Sequence, residues 1–454
     1  MCGFFVSTHV NIPKDFKDVT ARGWETREFF HGSYTAVQSQ LPCYTGRADF
    51  SYYETDEFVF SYTGEIYNTP GMYDSDTQYM FACAVCDTYS QLNGQWAFAL
   101  YSKSTGRIKI GRDPLGQIPL FISTTDGLTV SNTLPSIVHT VQAVLEPNTL
   151  DRWYTAKHYT STQTCWQGIR SVPPGTVTEY NTQGDTLRVQ RVNRLWHTTQ
   201  QDLHSVLQNI KTSYTDTPLP TASIASGGID STIIADIFDT RFNYAINHVG
   251  KDWVSNTVHK LDIDVCVLNI HQNEWRDYLQ ALIQDTYTVP YSWSWVGYYI
   301  IGAHCPEPVL YTGEGADEIF GGYPDYPTGT TPYSTNPEHD VQRNALYNQH
   351  PPTIANKLLD QSVFVPTSTT GANLALGCHT VEPRNPYLDN SIANNTLYLD
   401  QTGKPELTEL YTQRFGTPKP KQGFGGWPDE FSRKHSDQPW PHGAWQLVNR
   451  MFRK

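Results

Sequence analysis

Hydrophobic and polar residues alternate in short segments up to about residue 185, and turn residues close each segment. Residues 96–101 form one such segment, residues 102–106 have the composition of a turn, and residues 107–110 form the next segment. Alternation with a period of two between turns is typical of antiparallel β-hairpins. Further turns follow at residues 173–175 and 181–184. This half of the chain is therefore predicted to form antiparallel sheets.

The pattern changes after a polar stretch that begins near residue 198. Beyond it, apolar segments alternate with helical patterns, at residues 221–225, 244–249 and 265–270. Such alternation is typical of a parallel sheet with helices between its strands. We therefore predict two domains, at residues 2–190 and 200–454. Residues 323–352, rich in Pro, Thr, Tyr and Asn, are predicted to form a long loop and are a candidate lid.

Composition and charge exclude several classes of protein. Of the 454 residues, 38% are hydrophobic and 13% aromatic, which is enough to build cores. The net charge of −13 disfavours a general nucleic-acid binder, which needs basic side chains to contact phosphates. No stretch approaches the roughly 18 apolar residues of a membrane span, and residues 1–4 lack the basic start of a secretory signal. Since eight cysteines are too dilute for a disulfide framework, we expect a cytoplasmic protein with reduced thiols, bound to neither membrane nor nucleic acid.

The second residue of the chain is a candidate nucleophile. Removal of Met1 is easy before a small residue, and it leaves Cys2 with a free α-amine beside its thiol. An α-amine titrates near about pH 7.7–8.0, so its neutral form can accept the thiol proton. One residue then supplies both the nucleophile and the base. The alternative is an ordinary cysteine that follows the initiating methionine.

A Gly-rich loop lies between an apolar strand and a helix, and contains Ser226, Gly227, Gly228, Asp230 and Ser231. Glycines allow the backbone to approach a phosphate, and the N–H groups at the start of a helix attract an anion. Asp230 is a candidate Mg²⁺ ligand, and the two serines are candidate hydroxyl donors. The loop is not a Walker motif, because no Gly-Lys-Ser/Thr closes it. A plain strand-to-helix turn of small residues is the alternative.

A second Gly-rich loop carries three carboxylates. Gly313, Glu314, Asp317 and Glu318 follow the apolar segment 309–311. The carboxyl ends of strands are where open α/β sheets bind ligands. If the second loop packs against the first, these carboxylates would form a site for a Mg²⁺-nucleotide. The alternative is a solvated acidic turn.

Taken together, the motifs of the chain resemble those of one known family. In the family order, the chain carries Cys2-Gly3, Gly-Glu-Ile-Tyr-Asn at 64–68, Ser75-Asp76, Gly-Arg-Asp-Pro-Leu-Gly at 111–116, the Gly-rich loops at 226–231 and 313–323, Glu-Pro-Arg-Asn-Pro-Tyr-Leu-Asp at 382–389, Lys404 and Lys-Gln-Gly-Phe at 421–424. Over nearly its whole length the chain is similar to the glutamine-dependent asparagine synthetases. The resemblance implies an N-terminal α+β sandwich of antiparallel sheets, the N-terminal-nucleophile fold of class II glutamine amidotransferases. It also implies a C-terminal α/β parallel sheet of the ATP-pyrophosphatase type.

The resemblance further implies two reactions joined by an internal ammonia path. Cys2 would attack the side-chain amide of glutamine and release ammonia. ATP with Mg²⁺ would activate aspartate as β-aspartyl-AMP, and ammonia would convert this intermediate to asparagine, with AMP and pyrophosphate as the other products. Glutamine, aspartate and ATP are thus the implied substrates, and a homodimer is the implied assembly.

Individual residues take roles from the matching motifs. Gly64 would donate its backbone N–H to the oxyanion, and Glu65 and Asp76 would bind the α-ammonium group of glutamine. Glu314 would steer or deprotonate the attacking ammonia. The ATP and pyrophosphate site would consist of Ser226, Gly227, Gly228, Asp230, Ser231, Gly313, Asp317 and Lys404, with Asp230 and Asp317 as the Mg²⁺ ligands.

The chain departs from the family pattern at three positions. Thr63 stands where the family usually has Asn as an oxyanion donor, and Thr408 stands where an Arg is common. Gln40 stands where an Arg usually clamps the α-carboxylate of glutamine, and Gln lacks a charged bidentate fork. Arg47 is a candidate replacement for that clamp. Gln40 and Thr63 are therefore assigned as glutamine-binding positions. Because they depart from the family pattern, we expect the protein to have weak glutaminase activity.

Two other classes of function compete with this interpretation. One is a related ligase that adenylates a different carboxylate, as β-lactam synthetase-like or peptide-cyclising enzymes do. Those relatives commonly lack the nucleophilic cysteine, so Cys2 argues against them. The other is a non-catalytic protein that uses the fold as a binding scaffold, and retention of both Asp230 and Asp317 argues against it.

Overall fold

Within the part of the chain that the structure describes, two antiparallel sheets precede one parallel sheet. The computed structural model describes residues 2–9, 12–13, 15–41, 52–147, 162–193, 202–248, 254, 264–290, 292–323, 326–328, 340–392, 401–418 and 451–452. The last antiparallel strand ends at Arg191, and the first helix of the second half begins at Leu203. These two elements lie on either side of the predicted boundary near residue 198.

The first domain is a sandwich of antiparallel sheets. Its strands are β1 (Gly3–Ser7), β2 (Glu25–His31), β3 (Tyr34–Gln40), β4 (Tyr52–Glu54), β5 (Phe58–Ile66), β6 (Gly94–Ser102), β7 (Ile108–Arg112), β8 (Phe121–Ser123), β9 (Thr129–Ser131), β10 (Ile169–Ser171), β11 (Thr176–Tyr180) and β12 (Thr186–Arg191). The described strands have the order β10-β8-β9-β1-β3-β2 in one sheet and β12-β11-β7-β6-β5-β4 in the other. The hairpin predicted at residues 96–110 is confirmed as β6 and β7, which pair with Tyr101 opposite Ile108.

Alternation of side chains along the strands builds two apolar layers in this domain. Ala97 and Ala99 of β6 face the first sheet, whose Phe4 contributes to the same buried cluster. The intervening residues of β6, such as Phe98, face the opposite way and pack with the helix that covers the second sheet. The described helices of the domain are α1 (Lys17–Thr20), α2 (Asp76–Cys86) and α3 (Pro135–Thr140). Because α1 covers the first sheet and α2 the second, the domain is the layered α+β sandwich that the resemblance implies.

The second domain is built on a parallel sheet. Its described strands are β13 (Thr221–Ile224), β14 (Phe242–His248), β15 (Val265–Ile270), β16 (Val309–Tyr311) and β17 (Glu382–Arg384). Their order is β15-β14-β13-β16-β17, and every neighbouring pair is parallel. The predicted parallel sheet is therefore confirmed. The strand order reverses between β13 and β16, which is the position where open α/β sheets bind ligands.

Helices pack on both faces of the parallel sheet. Those described are α4 (Leu203–Tyr214), α5 (Ile229–Phe238), α6 (Gln272–Thr286), α7 (Trp293–His304), α8 (Ala316–Phe320), α9 (Asp340–Gln349), α10 (Pro352–Gly377) and α11 (Pro405–Phe415). Pro366 lies inside α10. Across the described ranges, no helix has the length and the apolar character that a bilayer-spanning segment needs.

The prediction of one long loop at residues 323–352 is wrong for residues 340–349. These residues form α9, because proline is absent from this segment and good helix formers such as Ala345 and Leu346 occur in it. Tyr347 then donates a hydrogen bond of 2.5 Å to Oδ1 of Asn356 on α10. Residues 329–339 lie outside the described residues, so the proposed lid stays a prediction.

The buried guanidinium of Arg112 joins the two domains. Its Nε donates to the carbonyl of Ile118 at 2.6 Å, and Nη1 donates to Ser171 and Val172. Nη2 donates to the carbonyl of Gly116 at 2.7 Å and to Oγ1 of Thr370 in α10 at 2.9 Å. Since every N–H of the group has an acceptor, the charge is buried without an unsatisfied donor.

We expect the change Arg112→Met to lower the free energy of unfolding by about 3 kcal/mol or more, because several buried acceptors lose their donor. The matched control is Arg107→Met, whose half-exposed side chain pairs with Glu179 and should contribute less than about 0.5 kcal/mol. Urea denaturation followed by tryptophan fluorescence measures both. Equal effects of the two changes would contradict the anchoring role of Arg112.

Candidate active sites

A cavity opens where the strand order of the parallel sheet reverses. Both Gly-rich loops begin there, at the ends of the paired strands β13 and β16. The cavity has a volume of about 390 Å³. Its walls include Ser226, Asp230, Glu314 and Asp317 from the loops, Tyr298 from α7 and Ser368 from α10. The structure thus brings the two predicted loops together at one site.

The first Gly-rich loop turns tightly into helix α5. Gly227 has a φ of 86°, which favours glycine, and Gly228 is the N-cap of the helix. The Oγ atoms of Ser226 and Ser231 are 2.8 Å apart and hold the turn. A Cβ atom on Gly313 would lie 3.0 Å from the backbone N of Ser231, so glycine lets the second loop pack closely on the first. The start of α5 lines the cavity, where helix N–H groups attract anions.

Lys404 connects the two loops through its ammonium group. Its Nζ lies 2.5 Å from Oδ2 of Asp230 and 2.7 Å from Oδ1 of Asp317. Burial by itself would lower the pKa of Lys404, but the two carboxylates outweigh burial and raise that pKa above its ordinary value. The ammonium group therefore stays charged and fixes the separation of the two carboxylates.

The carboxylates of Asp230 and Asp317 fit a magnesium ion that binds together with phosphates. Mg²⁺ in nucleotide sites usually takes one or two carboxylates and completes its shell with phosphate oxygens and water. Both carboxylates contact Nζ of Lys404, and each is about one fifth exposed, so part of each carboxylate remains accessible beside the cavity. The described residues contain no group of three His, Cys, Asp or Glu side chains that could hold a metal by itself. The donor set thus suits a metal bound with the nucleotide rather than a closed protein cage.

Two hydroxyl groups hold the carboxylate of Glu314 at the wall of the cavity. Tyr298 donates to Oε1 and Ser368 donates to Oε2. Burial raises the pKa of Glu314 above its ordinary value, and the two hydroxyl donors reduce that increase. Tyr298 and Ser368 belong to none of the motifs recognised in the sequence, and helices α7 and α10 bring them to the loop.

The other glutamate of the second loop, Glu318, is buried in the same wall. Burial and, next, the charge of Asp317 raise the pKa of Glu318 to about 8, and Tyr323 donates to its Oε1 at 2.6 Å. Burial therefore favours the protonated form of this carboxyl. Sequence analysis counted Glu318 among the carboxylates of the second loop but gave it no individual role.

Cys2 lies in the first domain, immediately before β1, and is buried. Its carbonyl oxygen accepts hydrogen bonds from Oγ1 of Thr63 at 2.9 Å and from Nδ2 of Asn132 at 3.1 Å. The Oδ1 of Asn132 also accepts from the backbone N of Phe4 at 2.8 Å. The backbone of the candidate nucleophile is thus fixed by two side chains. Sequence reasoning missed Asn132, which belongs to none of the recognised motifs.

The strand that carries Thr63 also carries Gly64, assigned as the oxyanion donor, and Glu65, assigned to glutamine binding. Gly64 has a φ of 136°, and a Cβ atom there would lie 1.9 Å from the carbonyl oxygen of Gln95, so only glycine fits. The Oε1 of Glu65 lies 2.9 Å from Nη2 of Arg384 in the second domain. Any ammonium group that Glu65 binds would therefore share this carboxylate with Arg384.

Asp76 and Gln40 occupy buried positions in the first domain. Burial raises the pKa of Asp76 to about 6, although donors such as the hydroxyl of Tyr62, at 2.9 Å, lower it in part. Burial thus favours the protonated form of this carboxyl, and its hydrogen-bond donors favour the ionised form. Gln40 ends β3 opposite Glu25. The candidate replacement clamp, Arg47, lies outside the described residues, as does the motif at 421–424.

We expect Asn132→Ala to lower kcat/KM for glutamine hydrolysis about tenfold, because the carbonyl of Cys2 loses one of its two donors. Amide synthesis from ammonium salts should not change, since it requires no nucleophile in the first domain. The control is Asn181→Ala, a change in the turn between β11 and β12. Glutaminase assays of both variants test the role, and normal hydrolysis by the Asn132 variant would refute it.

Two protein families match the two domains in turn. Residues 48–191 match the family described as glutamine amidotransferase domain. Residues 203–363 match the family described as asparagine synthase. The first match contains Gly64, Glu65 and Asp76, and the second contains both Gly-rich loops.

Curated proteins with similar sequences carry asparagine synthetase names. The chain is 22% identical over 403 residues to asparagine synthetase [glutamine-hydrolyzing] 1 of Bacillus subtilis, an alignment that covers 79% of this chain and 60% of the relative. It is 24% identical over 336 residues to a putative asparagine synthetase [glutamine-hydrolyzing] of Mycobacterium tuberculosis, covering 62% of this chain and 50% of the relative. The chain thus spans between half and two thirds of the length of these relatives.

Among solved structures, the chain is similar to the glutamine phosphoribosylpyrophosphate amidotransferase of B. subtilis complexed with ADP and GMP. The sequence identity is 12% and the TM-score is 0.29. The superposition covers 53% of this chain and 63% of that chain.

Proposed function

We propose that the chain is a glutamine-dependent asparagine synthetase, which converts aspartate to asparagine with ATP and with ammonia released from glutamine; the two family matches support this proposal. The carboxylate is activated as β-aspartyl-AMP, and the products are asparagine, glutamate, AMP and pyrophosphate. The observation that carries this proposal is the meeting of Lys404, Asp230 and Asp317 with Glu314 at one cavity of the parallel sheet. The proposal includes a homodimer, which follows from the family resemblance, and a cytoplasmic location, which follows from the dilute cysteines.

The first reaction takes place at Cys2. Its sulfur attacks the amide carbon of glutamine while the α-amine takes the thiol proton, and ammonia leaves as the thioester forms. Water then hydrolyses the thioester to glutamate. The hydrogen bonds of Thr63 and Asn132 to the carbonyl of Cys2 support this role, because they orient the residue at the end of β1. Asp76 is proposed to bind the α-ammonium group of glutamine, together with Glu65.

The second reaction takes place at the cavity of the second domain. A carboxylate oxygen of the acceptor attacks the α-phosphorus of ATP, and pyrophosphate leaves. The start of α5 and the hydroxyls of Ser226 and Ser231 suit the phosphates, and the ammonium group of Lys404 offsets the negative charge of the leaving group. Bound through Asp230 and Asp317, Mg²⁺ would supply further charge neutralisation.

Glu314 is proposed to receive ammonia. Each of its carboxylate oxygens already accepts one hydroxyl hydrogen bond and keeps a further lone pair for an incoming N–H. When ammonia attacks the acyl carbon, AMP leaves and the carboxylate of Glu314 takes the proton that the nitrogen loses. The raised pKa of this group suits it to accept that proton.

A related ligase that adenylates a different carboxylate, with weak glutaminase activity, is the second candidate. It is favoured by Thr63, whose hydroxyl donates to the carbonyl of Cys2 and is thus directed away from an oxyanion role. The ion pair of Glu65 with Arg384 favours it as well, because it occupies part of a carboxylate assigned to glutamine. The identity of the acceptor and the efficiency of glutamine use distinguish the two candidates.

Pyrophosphate release tests the acceptor and the ATP site together. With ATP, Mg²⁺ and ammonium chloride, release should depend on aspartate and should not occur with glutamate, with larger carboxylates or without acceptor. Asp317→Asn should lower this release about 100-fold or more, because it removes a charge beside Lys404. The control is Asp236→Asn, which alters a carboxylate paired with Arg414. Release that responds to another carboxylate would favour the second candidate, and unchanged release by the Asp317 variant would refute the assigned site.

Cys2→Ala should abolish glutamine hydrolysis and glutamine-dependent amidation but spare amidation from ammonium salts. Thioester formation requires covalent attack, whereas activation and ammonia capture occur in the other domain. Cys86→Ala, at an exposed cysteine, serves as the control. Intact-mass measurement of the wild-type protein should also show that Met1 is removed. Glutamine use by the Cys2 variant, or loss of its ammonia-dependent activity, would contradict the assignment.

A further inference from the structure

One turn of helix α10 contacts both domains. Ser368 donates to Oε2 of Glu314 on the cavity side. Two residues later, Oγ1 of Thr370 accepts from Nη2 of Arg112 in the first domain at 2.9 Å. The turn that provides a donor to Glu314 is therefore bonded directly to the first domain.

The same turn packs against a loop of the first domain at Gly116. The Oγ1 of Thr369 donates to the carbonyl of Val365 within the helix at 2.7 Å and lies 3.3 Å from the carbonyl oxygen of Gly116. A Cβ atom on Gly116 would lie 3.1 Å from Cβ of Pro366, so the loop and the helix are in close contact. This packing limits how far the turn can move while the domains stay together.

A second route runs from the first domain to the backbone of Glu314. The backbone N of Glu314 donates to Oγ1 of Thr312 at 3.2 Å, and this hydroxyl donates to Oδ1 of Asn385 at 2.7 Å. The Nδ2 of Asn385 in turn donates to Oε1 of Gln117 at 3.2 Å. Thr312, Asn385 and Gln117 are all buried, so water does not compete for these hydrogen bonds.

Glu314 depends on such external support because its own loop is permissive. Glycines flank it at positions 313 and 315, and Gly315 has a φ of 87°. Glycine restricts the backbone less than any other residue. The position of the carboxylate is therefore determined by the groups that bond to it rather than by the loop itself.

We propose that the first domain positions the carboxylate of Glu314 for ammonia capture, with Gln117 and Thr370 as the positioning residues. Gln117 acts through Asn385 and Thr312 on the backbone of Glu314, and Thr370 acts through the turn that carries Ser368. This inference rests on the proposed function. It means that the first domain contributes to synthesis even when ammonia is supplied from solution and Cys2 is not used.

The test uses the full-length protein with Gln117→Met and Thr370→Val, which keep side-chain size and remove the acceptor atoms. Gln95→Met is the matched control, because it removes a buried hydrogen bond between the domains, to the carbonyl of Pro383, that lies on neither route. Thr370→Ser is the conservative variant, since it keeps the hydroxyl. Amide and pyrophosphate are measured with ATP, acceptor and saturating ammonium chloride.

We expect kcat for amide formation to fall about tenfold in Gln117→Met and Thr370→Val, as for the loss of one hydrogen bond, with unchanged KM for ATP and for the acceptor. Pyrophosphate release should fall less, so the ratio of pyrophosphate to amide should rise as water consumes the activated acceptor. Thr370→Ser should restore the wild-type ratio, and Gln95→Met should keep it.

Wild-type ratios in both variants would overturn the inference while leaving the proposed function intact. A parallel loss of pyrophosphate and amide would overturn it as well, because that result indicates general damage to the cavity. If wild-type protein made no amide from any acceptor, the proposed function would fail and the inference with it. Because the two variants act by separate routes, one folded variant is enough for the test.

Discussion

Burial of charged guanidinium groups at the domain interface constrains the whole molecule. Arg22, Arg112 and Arg384 are each about 1% exposed. Arg22 donates to the backbone carbonyl and the side-chain oxygen of Asn373 in α10, and Arg384 pairs with Glu65 across the interface. A buried charge is tolerated only when it is paired and hydrogen-bonded, so separating the domains would leave acceptors and carboxylates without partners. The two candidate centres therefore lie on either side of an interface whose separation would be energetically costly.

The sequence predicted the fold and the meeting of the two Gly-rich loops, because both depend on local patterns. Each Gly-rich loop consists of consecutive residues, so it can be recognised directly in the sequence. The alternation of strands and helices indicates a parallel sheet, in which the loops that follow the strands lie at the same edge. Tyr298, Ser368 and Asn132 could not be predicted in this way, because helices and strands remote in sequence bring them to the sites. The prediction of a loop at 323–352 is wrong for α9. Residues 323–337 have the composition of a loop, whereas the segment that forms α9 contains good helix formers.

Departures from the family pattern acquire physical meaning in the structure. Thr63 does not simply lack the amide of the usual asparagine, because its hydroxyl holds the backbone of Cys2 together with Asn132. The carboxylates at the cavity of the second domain are stabilised in three different ways. Lys404 offsets part of the charge of Asp230 and Asp317, hydroxyl donors hold Glu314, and burial favours the protonated form of Glu318. The cavity thus carries less negative charge than its sequence suggests.

The proline inside α10 gives that helix an uneven stiffness. Pro366 has no N–H to donate to the preceding turn, and a helix bends at such a position at lower energetic cost than elsewhere. Both parts of the helix pack within the second domain, and the part beyond Pro366 is also bonded to the first domain through Thr370 and Asn373. Small rotations between the domains would therefore concentrate at this joint. Ser368 lies two residues beyond Pro366, so bending of the helix at the proline would displace a hydrogen-bond donor to Glu314.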